Sequence, residues 1–245
     1  MVTPVAYPLP RWIAHRGGGA LAPENTLAGF RLAARLGFRA VEFDVMLAAD
    51  GLPVVIHDET LVRTTGQPGA VPDYSSAQLR GFDAGATFHG AFAGEGVPTF
   101  AEVIALCAEL GLAANIEIKP AAGFAAETGR IVAAMTLQHW PAALPVLLSS
   151  FDETALASAA AQAPTLPRAC LFEQIPDDWS ARLQTHGALA LHCHHSQVAT
   201  PNGQAVLAAG VPMAVYTVNL REQADACWHA GVAALFTDRL DLFPA

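Results

Sequence analysis

Cysteine is scarce in this chain: there are four in 245 residues, at Cys107, Cys170, Cys193 and Cys227, and no two form a CxxC pair. No recognised disulfide framework or zinc spacing is present, so reduced thiols in a cytoplasmic protein are expected. Long apolar runs are also missing. Stretches such as AALPVLL (Ala142–Leu148) stop well short of the ~20 residues that span a bilayer, so no membrane insertion is expected. The N-terminal MVTPVAYPLPRW holds three prolines and lacks the basic-then-apolar order of a secretory leader. Positive charge is in short supply, with 13 Lys and Arg against 22 Asp and Glu and a formal net charge of −9. A nucleic-acid partner is therefore not expected, because phosphate backbones are bound by clustered cations. A small anionic ligand stays compatible, since local charge decides that case.

What is present is an apolar, folding composition: 53% hydrophobic and 14% charged residues. Strand-like runs recur at Trp12–Arg16, Ala40–Leu47, Ala113–Lys119, Val146–Phe151, Arg168–Glu173, Leu189–His194, Met213–Val218 and Ala234–Thr237. Helical patterns lie between most of them: Thr26–Leu36, Phe100–Leu110, Ala125–His139, Glu153–Gln162, Trp179–His186, Gly203–Ala209 and Arg221–Ala230. Several end in glycine, as in ARLGF, AELGL, LAAGV and WHAGV, where a left-handed C-cap fits. Near-continuous apolar strands alternating with helices imply a parallel sheet covered on its faces. Eight such units in about 250 residues fit a closed (β/α)8 TIM barrel, with an open doubly wound sheet as the rival. The segment Thr60–Pro98 breaks the alternation. It is rich in Gly, Pro, Ser and Asp, and Val54–His57 reads as a ninth strand joined to Ala40–Leu47 through a hairpin-type turn. We read 51–98 as a small inserted subdomain after the second strand, over the active mouth, within one catalytic domain spanning 1–245.

Carboxylates inside an apolar strand are costly, and VEFDVMLAADGLPVVIHDE (Val41–Glu59) contains two. Side chains two apart on a strand share a side, so Glu42 and Asp44 face one way, as do Glu117 and Lys119 in ANIEIKP. In a barrel the C-terminal strand ends are where catalytic groups gather. Three converging carboxylates repel one another unless a cation joins them, and all-oxygen ligation suits Mg2+ or Ca2+ better than zinc. Buried ion pairs with Arg16 or Arg39 are the alternative. AHRGGG ends the first strand: an imidazole can move protons near neutral pH, and a guanidinium forks onto phosphate oxygens. In PENT, Asn25 or Thr26 reads as a helix N-cap, with Glu24 as a contact to a histidine. His57-Asp58 ends the hairpin's return strand and can place a second histidine at the mouth, giving one general base and one general acid. In LHCHHS, His192 is expected to line the mouth. In VYTVN, Tyr216 could pack under an apolar part of a substrate.

Taken in order, IAHRGGGALAPENTLAGF, VEFDVMLAADGLPVVIHDETLVRTTG, LRGFDAGATF, VPTFAEV, NIEIKP, LLSSF, VYTVN and ALFTD resemble the glycerophosphodiester phosphodiesterase family, over nearly the whole chain from Arg11 to Asp238. The short bacterial cytoplasmic members linked to glycerol-3-phosphate scavenging look most similar. The resemblance implies a TIM barrel with a small insertion and metal-dependent hydrolysis of glycerophosphodiesters to sn-glycerol 3-phosphate and an alcohol. It implies His15 and His57 as the catalytic pair, Glu42, Asp44 and Glu117 as ligands of one Mg2+ or Ca2+, and Arg16 and Lys119 as phosphate contacts. His192 and Tyr216 are carried over as substrate contacts, Tyr216 standing where many members have Trp. In the implied mechanism the glycerol 2-hydroxyl attacks phosphorus, and water then opens the cyclic phosphate. We read His15 as the base and His57 as the acid, an order the sequence does not fix. A cyclase that stops at the cyclic phosphate and a non-catalytic phosphodiester-binding protein are the alternatives. The preferred alcohol, the native metal, and whether the chain is a monomer or a homodimer are not legible.

Overall fold

Nine strands follow from these runs in the computed structural model, which describes residues 6–243. They are β1 (Trp12–Ala14), β2 (Ala40–Leu47), β3 (Pro53–Val55), β4 (Ala113–Ile118), β5 (Val146–Ser150), β6 (Arg168–Phe172), β7 (Ala190–His194), β8 (Met213–Tyr216) and β9 (Ala234–Thr237). All but β3 run parallel to their neighbours, and β1 pairs both with β2, through Ala14 and Val41, and with β9, through Trp12 and Leu235. That double pairing closes an eight-stranded (β/α)8 barrel. The helices are α1 (Leu27–Arg35), α2 (Val62–Thr65), α3 (Ser76–Arg80), α4 (Phe100–Leu110), α5 (Ala125–His139), α6 (Glu153–Gln162), α7 (Trp179–His186), α8 (Pro201–Ala208) and α9 (Arg221–Ala230). Among the described residues, no helix is long and apolar enough to cross a membrane.

The alternation within β2 explains how carboxylates survive in an apolar strand. Val41, Phe43 and Val45 face outward and join the layer of core between sheet and helices, where Phe43 meets Phe30 of α1 edge-on at 5.5 Å and Phe100 of α4 at 6.1 Å. Each such buried aromatic contributes about 1.5–3 kcal/mol over the exposed state. Glu42 and Asp44 then point into the barrel. The inner wall is lined by small residues: Ala40, Ala113, Ala169, Ala190, Ala214 and Ala234 pack with Ile13, Leu147 and Phe236. Alanines alone would leave the barrel under-filled. Tyr7 and Leu9, from the segment preceding β1, pack into that cluster and fill the space.

Segment 51–98 builds a small core of its own. β3 pairs antiparallel with β2, Val55 opposite Val45, and Val54, Ile56, Leu61, Val71, Leu79 and Val97 cluster with Met46 of β2 and Ala121 beyond β4. The insertion is thus anchored at the C-terminal ends of β2 and β4.

Element limits differ from the sequence reading where local chemistry intervenes. The first strand stops at Ala14 rather than Arg16, because Arg16 takes a left-handed φ of +48° that ends the ladder. Helix α8 starts at Pro201, two residues before the expected Gly203: the Thr200 side chain accepts from the Gly203 N–H and Pro201 suits the first turn.

Candidate active site

Parallel pairing of β2 with β4 sets Asp44 opposite Glu117 and Glu42 opposite Asn115. Glu42, Asp44 and Glu117 are buried, and each offers an oxygen within 4.8 Å of the others'. Burial, reinforced by the charge of Asp44, pushes the Glu42 carboxyl up to about 7 and raises that of Glu117 well above the usual range. Burial acts on Asp44 in the same sense, but the charges of Lys119, His57 and Arg16, with a hydrogen bond from Asn25 Nδ2 at 2.9 Å, hold it below its ordinary value. Two of three adjoining carboxyls are thus short of positive charge. An all-oxygen set of this kind fits a hard divalent cation of the Mg2+ or Ca2+ class.

Each candidate histidine is clamped by a carboxylate. His15 follows β1, and its Nδ1 lies 2.7 Å from Asp238 Oδ1; the other oxygen of Asp238 accepts from Asn219 Nδ2 at 2.9 Å. His57 follows β3, and its Nδ1 lies 2.6 Å from Asp58 Oδ1. With Nδ1 engaged, Nε2 is the atom left to exchange a proton in both rings. The two differ in what meets Nε2. That of His15 is 3.8 Å from Glu42 Oε2, whereas that of His57 contacts the Lys119 Nζ. Burial lowers the pKa of His15, but the Asp238 hydrogen bond and the charges of Glu42 and Asp238 outweigh it, and the net shift is upward. Burial also lowers His57; Asp44 opposes it, yet Arg16 and Lys119 keep the net shift downward.

Glycine 19 secures the turn that carries His15 and Arg16. A Cβ there would lie 2.4 Å from the Asp238 carbonyl oxygen, and its φ is +54°, so only glycine lets the loop reach Asp238. The Arg16 backbone N–H donates to Glu42 Oε2 at 2.9 Å, and its Nη1 donates to Glu24 at 3.1 Å. Lys119 sits 3.5 Å from Asp44 Oδ1 and is the only lysine in the sequence. The site therefore joins two fixed cations to an acidic cluster.

These groups open on one cavity of about 200 Å³, whose remaining wall includes Phe151, Leu171, Tyr216 and Phe236. All nine residues singled out from the sequence line it. His192, expected at the mouth, instead lies on the floor: it is fully buried among the barrel alanines, with Nε2 2.9 Å from the Tyr7 hydroxyl. Its strand position points it inward, but it sits too deep for solvent. Tyr216 is tied by its hydroxyl, which donates to the Phe172 carbonyl at 3.0 Å. Glu24 pairs with Arg16 and Arg63 rather than with a histidine. Of the two candidate caps, Thr26 caps α1, while Asn25 turns to Asp44. Asp238, Asn219 and Arg63 join the site in the fold without a motif role that marks them in the sequence. For Asn219 and Asp238 the signal in the sequence is the polar end of VYTVN and of ALFTD, each just past a strand.

Comparison with known proteins agrees with this geometry. Residues 15–242 match the model of the glycerophosphoryl diester phosphodiesterase family. A glycerophosphodiester phosphodiesterase of Caldanaerobacter subterraneus subsp. tengcongensis is 34% identical, covering 92% of this chain and 93% of that protein. Among solved structures, a phosphodiesterase of Oleispira antarctica in complex with the product sn-glycerol 3-phosphate superposes with a TM-score of 0.90 at 38% identity, covering 94% of this chain and 93% of that one. A glycerophosphodiester phosphodiesterase of Agrobacterium tumefaciens gives a TM-score of 0.81 at 28% identity, over 96% and 99% of the two chains. With its matching model, full-length relatives and shared barrel, this chain belongs to the glycerophosphoryl diester phosphodiesterase family.

Proposed function

We propose that the chain hydrolyses glycerophosphodiesters to sn-glycerol 3-phosphate and an alcohol, with one Mg2+ or Ca2+ held by Glu42, Asp44 and Glu117. The observation that carries the reading is that two carboxylate-clamped histidines turn their Nε2 atoms into the same cavity as that acidic cluster. A divalent ion bound there would supply Lewis-acid stabilisation of charge on the phosphoryl oxygens. Arg16 and Lys119 hold those oxygens by direct charge and hydrogen bonding.

The settings of the histidines support the reverse of the order read from sequence. His57, whose Nε2 faces an ammonium group, is the proton acceptor: it takes the proton of the glycerol 2-hydroxyl as that oxygen bonds to phosphorus. His15, set between two carboxylates, is the proton donor: it delivers a proton to the departing alcohol oxygen as the second P–O bond breaks. Asp238 and Asp58 keep the two rings oriented through Nδ1. Water then opens the cyclic phosphate with the roles exchanged. The hydroxyl is an effective nucleophile because it is already in place. Tyr216 and Phe151 offer apolar surface to the carbon skeleton, and His192 closes the floor beneath it.

All four cysteines are buried and unpaired, which supports a reducing, cytoplasmic setting. The test is a panel of glycerophosphodiesters against Mg2+, Ca2+ and EDTA. Release of sn-glycerol 3-phosphate that EDTA abolishes is expected. A cyclic phosphate that accumulates without opening would make the chain a cyclase, and binding without turnover in any metal would sink the enzymatic reading.

A further inference from the structure

Arg63 lies outside the cavity, on helix α2 of the insertion, and yet its guanidinium is the junction of the two arms that enter it. Nη1 and Nη2 donate to the two oxygens of Glu24 at 2.7 Å each, and Nε donates to Asp58 Oδ2 at 2.5 Å. The other oxygen of Asp58 holds His57 Nδ1, and Glu24 Oε1 also accepts from Arg16 Nη1. One planar fork therefore sets, through one carboxylate each, the ring that moves a proton and the cation that grips the phosphate. Without it, Glu24 and Asp58 would be neighbouring anions with no fixed orientation, each free to swing with its partner. A lysine carries the charge but not three donors in one plane.

We propose that Arg63 is a positioning residue for phosphodiester cleavage, by which the inserted subdomain aligns His57 and Arg16 together. This rests on the reading of those two residues as catalytic and phosphate-binding. A displacement of about 1 Å at such groups costs on the order of 100-fold in rate. Arg63→Ala should therefore lower kcat by roughly that factor, and the loosened Arg16 should raise KM as well. Arg63→Lys should recover little of either. Arg63 is half-exposed, so added guanidinium at non-denaturing concentration should restore Arg63→Ala, while the same concentration of ethylammonium should not. In the Asp58→Asn, Glu24→Gln double variant, Arg63→Ala should have almost no further effect.

The second readout needs no turnover. In 15N–1H spectra of the histidine side chains, the His57 Nδ1–H resonance should be sharp in the wild type, lost in Arg63→Ala and regained with guanidinium. Wild-type kinetics in Arg63→Ala, or a loss of activity that follows the melting temperature and does not respond to guanidinium, overturns the proposal. A wild type inert on every glycerophosphodiester would instead overturn the activity, and the His57 resonance would still decide the role of Arg63.

Discussion

The Nδ1 of His15 and the Oδ1 of Asp238 lie 2.7 Å apart although 223 residues separate them in sequence. The contact crosses the seam where β9 meets β1, so the last strand of the barrel orients a histidine carried by the first. Asp238→Asn should keep a hydrogen bond at the seam but remove the negative charge that favours the protonated, proton-donating ring of His15. Turnover should fall by roughly 100- to 10,000-fold, the range for losing general acid–base catalysis, with a near-normal melting temperature. Steady-state kinetics with glycerophosphocholine would check this, and retained turnover would remove Asp238 from the site.

The two histidines are separable by the leaving group. A departing p-nitrophenolate needs no proton, so His15→Ala should release p-nitrophenol from a p-nitrophenyl glycerophosphodiester far faster than it releases choline from glycerophosphocholine, each relative to wild type. His57→Ala should be impaired equally on both. The opposite pattern would restore His15 as the base.

Glu117→Gln isolates the electrostatics of the acidic cluster. Without divalent ions the variant should melt higher than wild type, because a buried carboxyl crowded by Asp44 becomes neutral. Adding Mg2+ or Ca2+ to 100 times its dissociation constant should stabilise wild type by about 2.7 kcal/mol and the variant far less. Equal responses in calorimetry would exclude Glu117 as a ligand.

Much of this site was legible because a strand repeats every two residues. Glu42 and Asp44 share a side, Phe43 must then face the helices, and β2 spans the residues read from the sequence, Ala40–Leu47. Motifs ending strands placed His15, His57 and Lys119 at one barrel end for the same reason. What escaped were partners brought in by closure and by the insertion. Asp238 is fixed by the β1–β9 seam, Arg63 by a four-residue helix whose register no pattern reveals, and Tyr7 by an empty barrel interior that only counting inward alanines would expose. Tyr7 and Leu9 stand in a proline-rich stretch with neither a strand nor a helix period, so their part in filling the barrel is not legible from pattern.

Burial of His192 has a pH signature. Burial drops its pKa to about 3, against an ordinary 6.5, because a charged ring would be stranded among the alanines. The unfolded chain binds this proton more readily than the folded one, so the stability due to the neutral ring is present above about pH 6.5 and is lost as pH falls toward 3. Between pH 7 and pH 4 this costs roughly 3 kcal/mol. His192→Gln, which can still meet the Tyr7 hydroxyl, should be the less stable protein at pH 7 and should close that gap on acidification. Parallel denaturant-unfolding curves at pH 7 and pH 4 would show no underlying effect of His192 if acidification cost both proteins the same.

A sequence whose solitary lysine stands beside His57 and Asp44 carries its own spectroscopic reporter. Reductive 13C-dimethylation would mark that amine and the chain's α-amine alone, without any engineered label. The dimethylammonium resonance of Lys119 would then register each ion, diester or product that enters the pocket, one occupant at a time.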